Sequence, residues 1–170
     1  MTNTMIEILP GTYTLDPARS GASFAAYHTI GKKPVRGEMP IRSGTVTVAA
    51  EPRRSTVSAE LDAAGWRTDN PRRDKDVRGK RFLDTEKYPV IGFRSTRVVG
   101  DGGSWRVVGV LSVRGGSAEV ELAITRFEPT VDGCRITATT RVDRVAAGVP
   151  SGRALIARHV DVELTVTLVA

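Results

Sequence analysis

The sequence predicts an all-β domain of about eight antiparallel strands, arranged as a sandwich or a barrel. Apolar residues alternate with polar ones at a period of two in several stretches, and turn residues such as Gly115-Gly116 and Asp132-Gly133 separate these stretches. Valine dominates the apolar residues, and aromatic residues make up only 5 % of the chain. Because β-branched side chains fit a pleated surface, this composition also favours strands.

The alternation is clearest at the end of the chain. Between residues 158 and 170, five apolar side chains alternate with polar ones, which indicates a strand with one buried and one solvated face. The same period is present at residues 118–124 and 134–142. The remaining strand candidates are residues 11–15, 21–29, 42–50, 55–61, 90–98 and 105–113.

The candidate strand at residues 105–113 is apolar on both of its faces. One face carries Trp105, Val107 and Leu111, and the other carries Val108 and Val110. In a barrel, the second face would need a cover. We therefore expect a helix or a partner subunit, as in a homodimer, on the outside of this strand.

Two segments interrupt the strand pattern. Residues 70–83 are charged and predict a short helix or an ordered loop, with Asn70 as N-cap and Pro71 in the first helical position. Residues 148–157 predict a second short helix capped by Ser151. We expect residues 1–10 to form a flexible tail and residues 11–170 to form a single domain.

Composition argues against several classes of function. Arginine provides 20 of the 25 basic residues, and these are spread along the chain among 19 acidic residues, so the net charge of +6 does not indicate a nucleic-acid site. The single cysteine, Cys134, excludes an intrachain disulfide and a thiolate metal cluster. The first ten residues lack a signal-peptide pattern, and no apolar stretch approaches the ~20 residues of a membrane span. We expect a soluble, cytoplasmic protein.

Three stretches together, in order and spacing, resemble the YceI-like family. The first is YTLDPARS at residues 13–20, followed by Phe24, His28 and the VRG of residues 35–37. The second comprises TDNPRRD at residues 68–74, FLD at 82–84, KYP at 87–89 and IGFRST at 91–96. The third is WRVVGVLSVRG at residues 105–115.

This resemblance implies an extended, eight-stranded, lipocalin-like antiparallel barrel. It also implies binding, transport or sequestration of a polyisoprenoid, a polyprenyl quinone or a fatty-acid derivative inside that barrel. Family members often carry histidine where this sequence has Arg19 and Asp76. Since the family shares no common reaction, an enzyme is the less favoured interpretation. The alternatives are a cyclase-type or isomerase-type enzyme acting on an apolar metabolite, and a stress-related or scaffolding role with a cavity too small to fill.

The candidate ligand-binding residues come from the matching motifs and from their surroundings. Large side chains that we expect to contact the ligand, or to form plain core, are Phe24, Trp66, Phe82, Tyr88, Ile91 and Phe93. Asn70, Arg73 and Asp74 would form a polar collar around a head group, or instead a helix cap and an arginine–carboxylate pair that fix the loop.

The other polar candidates are His28 and Arg36. Arg36 would reach a head group or pair with an acid such as Asp74. With two histidines and no metal-binding or nucleophile motif, we expect no catalytic residue, no metal and no cofactor.

Overall fold

A computed structural model describes residues 8–28, 34–101, 103–150 and 156–170. Ten strand segments lie in these ranges: β1 (Gly11–Leu15), β2 (Gly21–His28), β3 (Val35–Met39), β4 (Ile41–Val48), β5 (Thr56–Asp62), β6 (Val90–Asp101), β7 (Ser104–Val113), β8 (Gly116–Thr130), β9 (Gly133–Asp143) and β10 (Ile156–Val169). The helices in the same ranges are α1 (Pro71–Arg78) and α2 (Arg144–Ala147), with single 3-10 turns at Pro17–Arg19, Pro52–Arg54 and Ala63–Gly65.

The strands close into a ring, which confirms the barrel and excludes the sandwich. β10 pairs with β2 along most of its length and with β1 at its end, where Leu168 lies opposite Leu15. β1 and β2 are therefore two halves of one interrupted strand, and β3 and β4, separated by Pro40, are halves of the next. With β5 to β10 they make an eight-stranded antiparallel barrel.

The segment between β1 and β2 is held against β10 by hydrogen bonds. The Arg19 guanidinium donates to Asp16 at 2.7 Å and also contacts Asp132 at 3.2 Å. These contacts with Arg19 lower the pKa of both carboxyls. The hydroxyl of Thr167 donates to the Arg19 carbonyl at 2.9 Å, and the Thr167 amide donates to Ser20 Oγ at 3.0 Å. The break therefore occupies a fixed position on β10.

The first helix begins where the sequence predicts. The Asn70 side chain accepts hydrogen bonds from the amides of Arg72 and Arg73, both at 3.1 Å, and Pro71 is the first helical residue. The helix ends at Arg78, five residues before the predicted boundary, and the chain continues in turns. Arg114 ties these turns to the barrel by donating to the Phe82 carbonyl at 2.8 Å.

The second helix differs from the prediction. It spans Arg144–Ala147, with Asp143 as N-cap, and stops at Gly148, whose φ of +118° belongs to the left-handed region that favours glycine. Residues 148–150 are not helical, so the predicted position was wrong there, and the proposed cap Ser151 lies outside the described residues. The strand candidates with stated bounds do not include β3, which pairs with β2 and bridges to Arg67 through Glu38.

The outer face of β7 is only partly covered. Val108 is 3 % exposed within the single chain, whereas Val110 is 36 % exposed, so no helix of the described residues covers Val110. The homodimer stays a prediction. None of the helices in the described ranges is long and apolar enough to cross a membrane.

Candidate ligand-binding cavity

The barrel encloses a cavity of about 590 Å³ with predominantly apolar walls. Its volume falls in the range of small-molecule sites, which is roughly 300–1,000 Å³. The inward side chains of successive strands form the wall, among them Leu61, Ile91, Phe93, Val107 and Leu164. This wall is the direct result of the period-two alternation, since every second side chain of a barrel strand faces inward.

One end of the cavity, which we call the hairpin end, lies at the β4–β5 and β6–β7 connections. Its lining is predominantly apolar and includes Ile8, Pro10, Pro52 and Trp105, with Ser55 as a polar member. The two connections are joined by Arg53, which donates to the Gly100 carbonyl at 3.2 Å. Ile8 and Pro10 thus belong to the cavity wall, while residues 1–7 of the expected tail lie outside the described residues.

At the opposite end, which we call the capped end, α1 lies against the cavity. Arg73, Asp76 and Val77 line it from positions one helical turn apart, and Phe82 and Leu83 follow from the turns after the helix. Charged side chains therefore border the cavity at this end.

Arg144 at the start of α2 adds a third charged side chain to the cavity lining. It is 8 % exposed, and its Nη1 donates to the Val149 carbonyl at 2.8 Å. Arg144 is not recognisable from the sequence, because a single arginine at the end of a strand carries no motif. Its position depends on where α2 folds back on the barrel.

Trp66 fills space at the capped end. Its ring packs edge-on against Phe24, with 5.3 Å between ring centroids, and lies so close to Gly37 that a Cβ there would stand 2.5 Å from the indole. Gly37 is therefore required by the close approach of the indole to the backbone of β3. The indole Nε1 is buried and has no hydrogen-bond partner among the described residues.

Replacing Trp66 with phenylalanine should leave the free energy of unfolding unchanged or raise it by up to about 1 kcal/mol. The smaller ring keeps the contact with Phe24 and removes a buried N–H group, whose desolvation without a partner costs about 1–3 kcal/mol. Urea denaturation followed by the fluorescence of Trp105 measures the change. A loss above about 2 kcal/mol would contradict this expectation and would mean that the packing of the indole against Gly37 outweighs the cost of its unpaired N–H group.

The predicted site residues divide between the cavity and its surroundings. Four of them line the cavity together with Trp66 and Arg73: Phe24, Phe82, Ile91 and Phe93. Tyr88 is not in the lining; its hydroxyl lies beside Gly115, and the Lys87 ammonium is 5.4 Å from its ring centroid. The side chain of His28 lies outside the described part of the structure.

The polar residues of the predicted collar have separate tasks. Asn70 caps α1, and the buried carboxylate of Asp74 accepts hydrogen bonds from the amide and the hydroxyl of Thr68, at 2.9 and 2.6 Å. Arg73 pairs with Asp69 at 3.4 Å. Arg36 is exposed and makes no contact with Asp74, because the buried Gly37 beside it points inward and the alternation turns Arg36 outward.

Titratable groups with shifted pKa values lie away from the cavity. The Arg141 and Arg158 guanidinium groups lower the pKa of Asp161 and Asp143, respectively, in exposed ion pairs on the outer wall. Burial raises the pKa of the Cys134 thiol, which belongs to the core and not to the cavity lining. No group of histidine, cysteine and acidic side chains among the described residues could hold a metal ion.

Known structures share this fold. BcnA of Burkholderia cenocepacia superposes with a TM-score of 0.78 at 22 % identity, covering 92 % of this chain and 99 % of that one. A polyisoprenoid-binding domain from Saccharophagus degradans, implicated in plant cell wall breakdown, superposes with a TM-score of 0.68 at 16 % identity, covering 93 % and 98 %. A YceI protein of Campylobacter jejuni gives a TM-score of 0.56 at 15 % identity, covering 82 % and 86 %.

Sequence relatives point to the same group. A UPF0312 protein of Yersinia pestis (strain Pestoides F) is 34 % identical over 71 residues, which is 42 % of this chain and 37 % of the relative. One of Photorhabdus laumondii is 36 % identical over 64 residues, 38 % of this chain and 33 % of the relative. The matched segments thus span little more than a third of these relatives. The YceI-like domain model matches residues 13–168, nearly the whole chain. The chain therefore belongs to the YceI-like domain family.

Proposed function

We propose that this protein binds a long apolar ligand inside the barrel and carries or sequesters it. The cavity of about 590 Å³ with its apolar walls is the observation that supports this function most directly. The family membership and the polyisoprenoid-binding domain of S. degradans agree with it. A polyisoprenoid, a polyprenyl quinone or a fatty-acid derivative fits such a wall, because burial of apolar surface supplies the affinity.

The charged side chains give the ligand a direction. Arg73, Asp76 and Arg144 border the capped end, whereas the hairpin end has no charged residue in its lining within the described part of the chain. A ligand with one polar end would therefore place its head group at the capped end and its chain toward the hairpin end. Of the predicted collar, Arg73 keeps this role, while Asn70 and Asp74 hold α1 and the loop before it.

The other expectations rank below binding. A cavity of this size argues against a purely scaffolding role. An enzyme of the cyclase or isomerase type remains the alternative, since a shaped apolar wall can hold a flexible chain in a reactive conformation. A cytoplasmic location stays a prediction.

A chain-length series tests the binding function. Each additional CH₂ group buried in the cavity should raise affinity about fourfold, because it contributes about 0.8 kcal/mol. We expect saturated fatty acids of increasing length to follow this slope in isothermal titration and then to reach a plateau once the cavity is full. The proposal would be contradicted if the dissociation constant did not depend on chain length and native mass spectrometry showed no co-purifying lipid.

A further inference from the structure

Helix α1 has two chemically different faces. Its inner face carries Arg73 and Val77, which line the cavity. Lys75 is two residues from both, and two residues of an α-helix turn a side chain by about 200°, so Lys75 points away from the cavity. Lys75 and its neighbour Arg72 are exposed. The same element thus contacts the ligand space on one side and solvent on the other.

The solvent side of the capped end concentrates positive charge. Residues 67–87 contain eight of the chain's 25 basic residues but only five of its 19 acidic ones. Lys87 is also exposed and lies over the Tyr88 ring, and four further exposed members form no ion pair with another described residue: Arg72, Lys75, Lys80 and Arg81. We call these four the basic cap. A positive surface of this kind attracts anionic partners over about a Debye length.

We propose that the basic cap docks this protein on an anionic phospholipid surface. This inference rests on the proposed function, because ligands of that class reside in membranes and the cap lies directly over the cavity's charged end. Docking would place the capped end of the cavity against the headgroup layer. Clustered lysine and arginine side chains bind such surfaces, each contributing about fivefold in partition when it lies at the surface.

A lipid surface fits the basic cap better than a nucleic acid does. Proteins that bind single-stranded nucleic acid place aromatic side chains beside their basic residues so that bases can stack. Of the aromatic residues in and beside this stretch, Trp66 and Phe82 line the cavity, and Tyr88 is half-buried beside Gly115, so none of the three is fully exposed for stacking. The position of the cap over an apolar cavity also has no use in binding a phosphate backbone.

Co-sedimentation with vesicles tests the docking. The full chain is incubated with vesicles of phosphatidylcholine mixed with phosphatidylglycerol, and with vesicles of phosphatidylcholine alone, at low and at physiological salt. We expect binding to the mixed vesicles only, weakening as salt rises. The variant R72Q/K75Q/K80Q/R81Q loses four basic side chains, each of which contributes about fivefold to the partition coefficient when it lies at the membrane surface. Since not all four side chains reach the surface at once, we expect the variant to bind at least about twentyfold more weakly.

A matched control removes the same number of charges elsewhere. The variant R42Q/R94Q/R97Q/R135Q neutralises four exposed arginines of the barrel wall that form no ion pair with another described residue. It should bind the mixed vesicles within about threefold of the parent, since its changed residues lie outside the headgroup layer. Urea denaturation of both variants shows that each is folded.

Several outcomes would overturn the docking inference. Equal losses in the two variants would reduce it to a net-charge effect. Leu9 is 76 % exposed at the hairpin end. If Leu9→Asp abolishes vesicle binding while the cap variant still binds, the membrane contact lies at the hairpin end and not at the capped end. Cap-dependent binding to an RNA oligonucleotide without vesicle binding would assign the surface to nucleic acid. Fatty-acid binding measured without vesicles keeps the two proposals apart, because it tests the cavity and not the cap.

Discussion

Replacing Ala138 with phenylalanine should weaken binding of a cavity-filling ligand by about fiftyfold or more. Ala138 lies on β9 between Ile124 and Leu164, and it lines the cavity. The new ring would take the place of at least three ligand methylenes, each of which contributes about 0.8 kcal/mol when buried. Because the ring enters an apolar space, the fold should tolerate it.

Ala123→Phe is the matched control for this experiment. Ala123 is half-buried on the outer side of β8, opposite Arg106 and Thr139, and it does not line the cavity. The same substitution there should leave the dissociation constant within about twofold. Titration with the longest fatty acid that binds the parent gives both values. If Ala138→Phe leaves that affinity unchanged, the ligand does not occupy the barrel.

The local alternation of apolar and polar residues was sufficient to predict most strands, but not to predict how they close into a barrel. In β10, five inward residues alternate with polar ones, so the strand and its buried face were visible in the sequence. Barrel closure depends on β10 pairing with β2 and, at its end, with β1, and no local pattern encodes these contacts between distant parts of the chain. The motif resemblance supplied this part of the answer.

Strand β3, which has no stated bounds in the sequence-based prediction, explains why Arg36 does not contact the cavity. β3 is five residues long and contains Gly37, so its alternation is too short to stand out. Once β3 is known, period two places Val35, Gly37 and Met39 inward and turns Arg36 to solvent. Tyr88 lies just before β6, outside any alternation, so only the structure could place it beside Gly115.

The charged segment before and within α1 was recognised, but its contacts were not. Capping by Asn70 follows from residue type and from the proline after it. The pairing of Arg73 with Asp69, and of Asp74 with Thr68, depends on how the loop folds back before the helix. Sequence spacing allowed several carboxylate partners for Arg73, and only the three-dimensional path of the loop selects one.

Truncating Leu168 to alanine should lower the free energy of unfolding by about 2 to 5 kcal/mol, as expected for a fully buried leucine. Leu168 is 1 % exposed and faces Leu15 on β1 and Cys134 on β9. The pairing between β1 and β10 that closes this part of the ring involves only Thr14 with Val169 and Leu15 with Leu168. A cavity at this seam therefore weakens the barrel where it has the fewest paired residues.

The neighbouring residue Val169 provides a matched control that faces the other side of the same strand. Val169 belongs to the same short ladder but is half-buried on the opposite face of β10, so Val169→Ala should cost less than about 1 kcal/mol. Urea denaturation of both variants at equal protein concentration gives the two losses. Equal losses would mean that the inward side chain of Leu168 contributes no more to stability than the outward side chain of Val169. A larger loss for Leu168→Ala would show that packing of the inward side chain stabilises this end of the seam, in agreement with an apolar interior that continues up to the point where the two ends of the chain meet.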